Sequence, residues 1–226
     1  MQRTSHDEPR CERCGACCIQ GGPALHAQDK PLIEDGAIPL AAIVTLRPGE
    51  RVFDQPAQRL LTLETEILKI KGRDNTWTCL FYDAEGHTCT IYERRPAECD
   101  ALFCRDIAPL AAMYEKDRLT RADILPAGHP LLELIAEHDA QCAPAAVEAA
   151  AKRAREGDAE SGRALREMAR YDRELRKLVS EKGGMDPAMN EFLFGRPLSV
   201  LLATMNIKTY DMGDSIRFDF ASGEAR

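Results

Sequence analysis

The chain has 226 residues, of which 44% are hydrophobic and 30% are charged, and its formal net charge is −7. It is long enough to bury a core of its own, and its composition is that of a soluble globular protein. The nine Lys and Arg residues between 152 and 177 are interleaved with acidic residues, so they form no basic stripe. With an acidic balance and no such stripe, we expect no nucleic-acid partner.

Targeting signals and membrane spans leave recognisable apolar runs, and the sequence contains none. Residues 1–30 lack the run of roughly 7–15 apolar residues that a signal peptide needs. No stretch approaches the roughly 18 apolar residues of a membrane span. These observations predict a cytoplasmic protein without a membrane partner, in a compartment where thiols more often bind metal or catalyse than form disulfides. The alternative, an exported disulfide protein, would leave one of nine cysteines unpaired.

The first half of the chain is predicted to alternate loops with short extended segments. A short helix is expected at 30–36. Segments 42–46 and 51–54 flank a Pro-Gly sequence at 47–50 that is typical of a type II turn, which predicts a hairpin. Residues 60–70 form another extended stretch.

A second hairpin is predicted from segments 76–82 and 88–92. Cys79 would lie in its first strand and Cys89 in its second. The proline at position 96 then begins a short helix at 97–103, which carries the next cysteine of the chain.

Beyond residue 106 the pattern becomes helical. The longest predicted helix, 158–181, has one apolar face whose members are spaced three and four residues apart; they are Ala164, Met168, Tyr171, Leu175 and Leu178. The other predicted helices are 130–142, 144–156, 186–194 and 197–205, and a hairpin at 207–220 ends the chain.

These elements predict an α+β fold. A small, irregular, hairpin-containing cysteine-cluster region would be followed by a mainly helical C-terminal region with a terminal hairpin. We expect two domains, a metal-binding domain at 1–106 and a helical region at 107–226 that could bind a protein partner.

Eight of the nine cysteines fall into two blocks. Four thiols are the usual ligand count of a structural zinc ion or an iron–sulfur cluster, and a C-x2-C step lets two sulfurs converge on one centre. The sequence therefore predicts an all-cysteine metal site for Zn²⁺ or Fe. The candidate ligands are Cys11, Cys14, Cys17 and Cys18 in the first block and Cys79, Cys89, Cys99 and Cys104 in the second.

The adjacent pair Cys17 and Cys18 bears on the number of ions. The C-x2-C-x2-C run is similar to that of bacterial ferredoxins, but it lacks their following x3-C-P. Adjacent side chains in an extended backbone point to opposite sides. We therefore expect the pair to serve two ions, or two edges of one cluster, in a polynuclear site.

Several other residues near the blocks admit two interpretations. Arginines flank both blocks and could either neutralise thiolate charge or be ordinary surface residues, and for Arg95 a structural role is favoured. They are Arg10, Arg13, Arg73, Arg94, Arg95 and Arg105. Tyr92 is expected to pack against a strand. His87 could substitute for a thiolate, but an exposed turn residue is favoured.

His138 and Cys142 lie four residues apart on one predicted helix and could both reach one ion. A buried free cysteine beside a histidine is the favoured interpretation, because free cysteine behaves as a small hydrophobe.

The residues around the two blocks resemble the YkgJ-type cysteine-cluster family, known as CxxCxxCC. The resemblance rests on C-E-R-C-G-A-C-C at 11–18, C-L-F-Y at 79–82 and C-T-I-Y-E-R-R-P-A-E-C at 89–99, with one further cysteine closing the second block. It covers roughly residues 11–105. It implies a zinc- or iron-chelating domain in which all eight motif cysteines are candidate ligands, and it implies no particular activity.

Three functions stay open at this point. The cysteines could hold about two zinc ions that stabilise an irregular domain with little core of its own. They could instead hold an iron–sulfur cluster with a redox or enzymatic role, or they could chelate and deliver metal. The sequence has no nucleophile elbow, P-loop, dinucleotide fingerprint or zincin motif, so no catalytic residue is assigned.

Overall fold

The computed structural model of the chain describes residues 11, 13–54, 58–74, 76–103 and 106–220. The predicted α+β fold class is confirmed, with small hairpins first, helices after them and a hairpin at the end. The strands in these ranges are β1 (Ile43–Leu46), β2 (Arg51–Asp54), β3 (Arg59–Thr62), β4 (Ile67–Ile70), β5 (Tyr82–Asp83), β6 (Thr88–Cys89), β7 (Ile207–Asp211) and β8 (Ile216–Phe220). The helices are α1 (Lys30–Glu34), α2 (Ala97–Ala101), α3 (Ala108–Met113), α4 (Arg121–Ile124), α5 (Pro130–Gln141), α6 (Pro144–Arg155), α7 (Ala159–Glu181), α8 (Asn190–Phe194) and α9 (Leu198–Thr204).

The chain divides into two compact units, and neither is continuous in sequence. The cysteine unit consists of the described residues up to Ile43 together with Ile67–Thr120. The helical unit consists of Val44–Glu66 together with the described residues from Arg121 onward. None of the helices in the described ranges combines the length and the apolar character that crossing a membrane requires.

The cysteine unit has an apolar core built around three short backbone segments. The amide of Leu25 donates to the carbonyl of Leu68 at 2.9 Å, and the amide of Leu119 donates to the carbonyl of Leu25 at 2.8 Å. Leu25, Leu68 and the nearby Ile38 are fully buried. Each such side chain stabilises the fold by about 1.5–3 kcal/mol, so apolar burial contributes to the stability of this unit. The small, hairpin-containing region predicted here is confirmed, and it has some apolar core of its own.

The predicted hairpin between 42–46 and 51–54 is also wrong, although the turn between them is confirmed. The amide of Glu50 donates to the carbonyl of Arg47 at 3.1 Å, and Gly49 has the positive φ of +86° that a type II turn requires. However, β2 pairs antiparallel with β3, which follows it in the chain. Arg47 and Glu50 are both 1% exposed, so their buried side chains, rather than strand pairing across the turn, fix its position.

The hairpin of β5 and β6 is shorter than predicted. Cys89 lies in β6 as expected, opposite Tyr82. Cys79 lies outside β5, in an isolated bridge to Gly72, and its amide donates to the carbonyl of Cys18 at 2.7 Å. The backbone of Cys79 is thus committed to the first cysteine block instead of the hairpin.

The helical unit has a separate apolar core. Its buried members come from α6, α7, α9 and β7, together with Cys142, the C-cap residue that follows α5. They are Cys142, Val147, Ala150, Ala151, Leu165, Leu198, Leu201, Leu202 and Ile207. The predicted helices at 130–142, 144–156 and 158–181 and the terminal hairpin of β7 and β8 are confirmed, each within about two residues of the predicted bounds.

The buried face of α7 differs from the predicted one. The helix begins as expected, with the Asp158 carboxylate accepting from the amides of its first turn. However, Leu178 is 48% exposed, whereas Asp172 and Arg176 are buried. The face is rotated by about one residue, because this buried ion pair occupies positions that an apolar pattern assigns to solvent.

That ion pair belongs to a buried polar network. The Asp172 carboxylate accepts from Nε2 of His138 at 2.8 Å, from Nε of Arg176 at 2.9 Å and from the amide of Leu198 at 3.0 Å. The Arg176 guanidinium in turn donates to the carbonyl of Phe194 at 3.2 Å. Burying these charges would be costly without partners, and each is paired here.

Candidate metal centre

The first cysteine block forms a turn rather than an extended strand. The amide of Ile19 donates to the carbonyl of Gly15 at 3.0 Å, and the amide of Gln20 donates to the carbonyl of Cys17 at 3.1 Å. Gly15 has a φ of +77° and Arg13 has a φ of +57°, so the chain reverses direction within the block. This curvature is what allows closely spaced cysteines to face a common space.

The second block reaches the first from three different elements. Cys79 lies in the isolated bridge and is 8% exposed, Cys89 lies in β6, and Cys99 lies in α2. Cys104, the last predicted ligand, lies outside the described residues. The eight cysteines that the structure describes, which include Cys142, are free thiols.

Five motif thiols line one small pocket of about 30 Å³ at the surface of the cysteine unit. Its walls are Cys11, Cys14, Cys17, Cys18 and Cys89, with Arg13, Gly15, Tyr82, His87, Tyr92 and Leu102. A space of this size is close to the volume of a single water molecule, so as it stands it is suited to ions rather than to an organic substrate. The fold thus brings cysteines about 70 residues apart in sequence to one place.

The sulfurs of Cys17 and Cys18 are 4.0 Å apart. The expectation that these side chains point to opposite sides is wrong, because residues 16–20 form turns and not an extended strand. Two sulfurs bound at about 2.3 Å to one tetrahedral ion lie about 3.8 Å apart. The observed separation is therefore compatible with a single ion bound by both thiols.

Burial makes three of the motif thiols less acidic than an exposed cysteine. Burial raises the pKa of Cys18 to about 12, and the adjacent Cys17 adds to the shift. Burial likewise raises the pKa of Cys99 well above its usual value, and the charge of Cys79 contributes. Burial also raises the pKa of Cys79. Several ionised thiols this close together need a neutralising cation, which is the condition that a bound metal ion satisfies.

The thiols do not yet form a coordination shell. Among the described residues, no three Cys, His, Asp or Glu side chains are arranged closely enough to hold an ion as they stand. The donor set nevertheless fits zinc or iron, since both bind thiolates and the pocket walls supply five.

Tyr82 holds the first block in place. Its side chain is 5% exposed, and a Cβ added at Gly15 would lie 2.0 Å from its hydroxyl oxygen. The motif glycine therefore serves two purposes: it adopts a positive φ, and it leaves room for this hydroxyl.

We predict that Gly15→Ala lowers the metal content of the purified protein by at least about half. The added methyl collides with Tyr82, in addition to the strain of about 1–2 kcal/mol that a positive φ imposes on alanine. Gly36→Ala is the matched control, because Gly36 has a φ of +81° and no atom within 4 Å of the added Cβ. Metal per chain is measured by mass spectrometry after anaerobic purification. Equal losses in the two variants would contradict the steric argument.

Two guanidinium groups stack on Tyr92. The Arg13 guanidinium carbon lies 3.8 Å from the ring centroid and that of Arg95 lies 4.3 Å from it. Arg95 also donates to the carbonyl of Tyr92 at 2.9 Å and pairs with Asp100 in α2. Tyr92 lies in a short 3-10 helix, because β6 ends at Cys89 and not at the predicted residue 92. Its ring instead links the first block to the second.

We predict that Tyr92→Ala speeds the loss of metal to a competing chelator by about 5- to 30-fold. Each cation–π contact contributes about 0.5–1 kcal/mol at a partly exposed site, and both are lost. Tyr92→Phe keeps the ring and is expected to lose metal at close to the wild-type rate. If the two variants release metal at the same rate, the stack does not hold the blocks together.

The other predicted arginines lie around the blocks without a common role. Arg73 donates to the carbonyl of Leu80 at 2.7 Å, and Arg94 pairs with Asp35. Arg10 and Arg105 lie outside the described residues. The structural interpretation of Arg95 agrees with its contacts to backbone and carboxylate.

The helix that carries Cys99 is held by residues that sequence reasoning missed. Asp29 accepts from the amide of Ala97, at the start of α2, at 2.8 Å. The Glu98 carboxylate accepts from the amide of Ala24 at 2.7 Å, and its other oxygen lies 3.2 Å from Nε2 of His26. From its position directly before α1, Asp29 is expected to cap that helix. Its side chain instead caps α2, which no local sequence pattern indicates.

The second candidate pair, His138 and Cys142, belongs to the core of the helical unit. His138 is fully buried and binds Asp172, as described above. Cys142 is also fully buried, and its thiol donates weakly to the carbonyl of Met168 at 3.6 Å. These contacts match the favoured interpretation of a buried free cysteine beside a histidine.

Comparison with known proteins bears on the cysteine blocks. Residues 10–116 match the family described as CxxCxxCC, putative zinc- or iron-chelating domain. No curated protein and no solved structure matches the chain. The matched range contains both blocks and every residue that lines the pocket. The similarity to the CxxCxxCC family thus extends over residues 10–116, which are 107 of the 226 residues of the chain.

Proposed function

We propose that the cysteine unit holds zinc or iron in a polynuclear site whose ligands are the eight motif cysteines, and we assign no catalysis to it. The ligands would be Cys11, Cys14, Cys17, Cys18, Cys79, Cys89, Cys99 and Cys104. The observation that supports this most directly is the gathering of five of these thiols around one pocket. The family description supports metal binding in general.

The number of ions is inferred from the number of donors. A tetrahedral ion takes four thiolates, whereas seven motif cysteines lie in the described ranges of the cysteine unit. The adjacency of Cys17 and Cys18 no longer supports two centres, because their sulfurs can reach one ion. The case for a polynuclear site therefore depends on the count of thiols.

The metal is identified by anaerobic purification, a visible spectrum and metal and sulfide analysis. A colourless protein with about two zinc ions per chain would support the structural zinc site and exclude the alternative, an iron–sulfur cluster. A brown protein with inorganic sulfide would support a cluster with a redox or enzymatic role. A protein that binds neither metal would refute the proposal.

The ligand set is tested by single substitutions. Cys17→Ser and Cys18→Ser are each expected to lose metal, and Cys142→Ser is the matched control because this cysteine lies in the helical core. Metal chelation or delivery is the remaining alternative, and the exposure of Cys14 favours it. Rapid transfer of metal to an apo acceptor protein would support delivery over a structural role.

Location and further partners stay predictions of the sequence. We expect a cytoplasmic protein that does not bind nucleic acid, and a protein partner for the helical region. Subcellular fractionation and affinity capture with the full chain test these expectations.

A further inference from the structure

His87 lies in the turn that joins β5 to β6, two residues before Cys89, and its side chain lines the thiol pocket. The sequence favours an exposed turn residue here, and the side chain is exposed. Exposure is compatible with a place in the pocket, since Cys14 is exposed and lines it as well. His87 thus stands beside the thiols with one side accessible to solvent.

The imidazole is anchored through one of its two nitrogens. Nδ1 of His87 lies 3.2 Å from the hydroxyl oxygen of Tyr82, which is itself buried against Gly15. Histidines that bind metal commonly show this arrangement, in which one nitrogen binds the ion and the other donates a hydrogen bond that fixes the ring. When Nδ1–H donates to Tyr82, the lone pair of the neutral ring lies on Nε2.

We propose that Nε2 of His87 is a ligand of the metal centre formed by the motif cysteines, and that Tyr82 positions the ring. This inference rests on the proposed function. Neutral imidazole is a ligand for both zinc and iron, so the assignment holds for either metal. A neutral imidazole also adds a donor to the centre without adding negative charge, which favours assembly of a site crowded with thiols.

The test uses the full chain, stripped of metal and titrated anaerobically with Co²⁺, whose absorption spectrum depends on the ligands bound. The decisive variant is His87→Asn, because His87 has a φ of +48° and asparagine tolerates this conformation while being a poor ligand. Tyr82→Phe removes the hydroxyl and keeps the ring. Thr88→Ala is the matched control, an exposed neighbour in the same hairpin that does not line the pocket.

We expect His87→Asn to weaken Co²⁺ binding by about 100-fold and to change the visible bands. Tyr82→Phe should weaken it by about 10-fold, as is typical for a residue that orients a metal-binding histidine. Thr88→Ala should match the wild type. Wild-type protein that binds no Co²⁺ and carries no metal as purified would overturn the proposed function. Wild-type binding with the same affinity and spectrum in His87→Asn would overturn this inference alone.

Discussion

Asp172→Ala is expected to destabilise the helical unit by about 3–5 kcal/mol. The substitution removes the acceptor of three buried donors, namely the His138 imidazole, the Arg176 guanidinium and the amide of Leu198. Breaking a buried ion pair from one side costs this much because the remaining charge is left uncompensated. Asp172 is 3% exposed and His138 is fully buried, so water cannot replace the lost carboxylate without opening the core.

The measurement is urea unfolding of the full chain followed by two signals. Far-ultraviolet circular dichroism reports mainly the helices, whereas the fluorescence of Trp77, the single tryptophan, reports the cysteine unit. Glu174→Ala is the matched control, since Glu174 lies on the same helix, is exposed and pairs with Arg173 on the surface. Its effect should stay below about 0.5 kcal/mol. A similarly small effect of Asp172→Ala would show that the network contributes little to stability.

The same contacts predict how stability depends on pH. Burial alone would raise the pKa of Asp172, but the hydrogen bond from His138 and the charge of Arg176 outweigh it and lower the pKa. A carboxyl group whose pKa is lower in the folded than in the unfolded protein stabilises the fold at pH values above its unfolded pKa of about 3.9. This stabilisation is lost as the pH falls through the pKa of the folded protein. Wild-type protein should therefore lose this stability below about pH 4, and Asp172→Ala should lack that part of the acid sensitivity.

Removal of the metal is expected to loosen the cysteine-bearing segments and to leave both apolar cores folded. Structural zinc contributes on the order of 10 kcal/mol to folding in small zinc domains. Here we expect that contribution to act mainly on the blocks, because Leu25, Leu68 and Leu119 are buried and their segments are joined by backbone hydrogen bonds. We therefore expect the protein to differ from domains that unfold completely without metal.

Hydrogen exchange of the full chain, with and without an anaerobic chelator, measures this effect. Peptides from 76–103 should exchange at least about 100-fold faster after chelation, whereas peptides from α7 should be unchanged. Chelator already saturated with zinc is the control. Faster exchange along the whole chain would mean that the metal supports the entire fold, and no change anywhere would mean that it supports neither unit.

Periodicity and turn chemistry predicted most of the helical unit. Helix α7 has an Asp158 cap, a repeat of three and four residues and a Gly-Gly stop, which are local signals that tertiary packing did not override. The error of about one residue in its buried face has a clear cause. Asp172 and Arg176 can enter the core only as a pair with a third partner, His138, on another helix, and no local pattern carries that information.

The hairpins of the first half were predicted less well, for a related reason. β2 has two neighbouring segments that could pair with it, and the sequence favours the one joined by the nearer turn. The choice of β3 follows from the burial of Arg47 and Glu50 at that turn, where Arg196 binds Glu50 at 2.7 Å from far along the chain. The residues of the turn alone do not predict a contact between Glu50 and a residue as distant in sequence as Arg196.

The cysteine spacing by itself predicted metal binding, because C-x2-C intervals let two sulfurs converge on one centre. Only the tertiary structure showed that Cys17 and Cys18 share one side, since a turn and not a strand carries them. It also placed His87 and Tyr82 beside the thiols. The reason is physical: ligand type is a property of single residues, whereas the direction in which they point depends on backbone curvature and on partners distant in sequence.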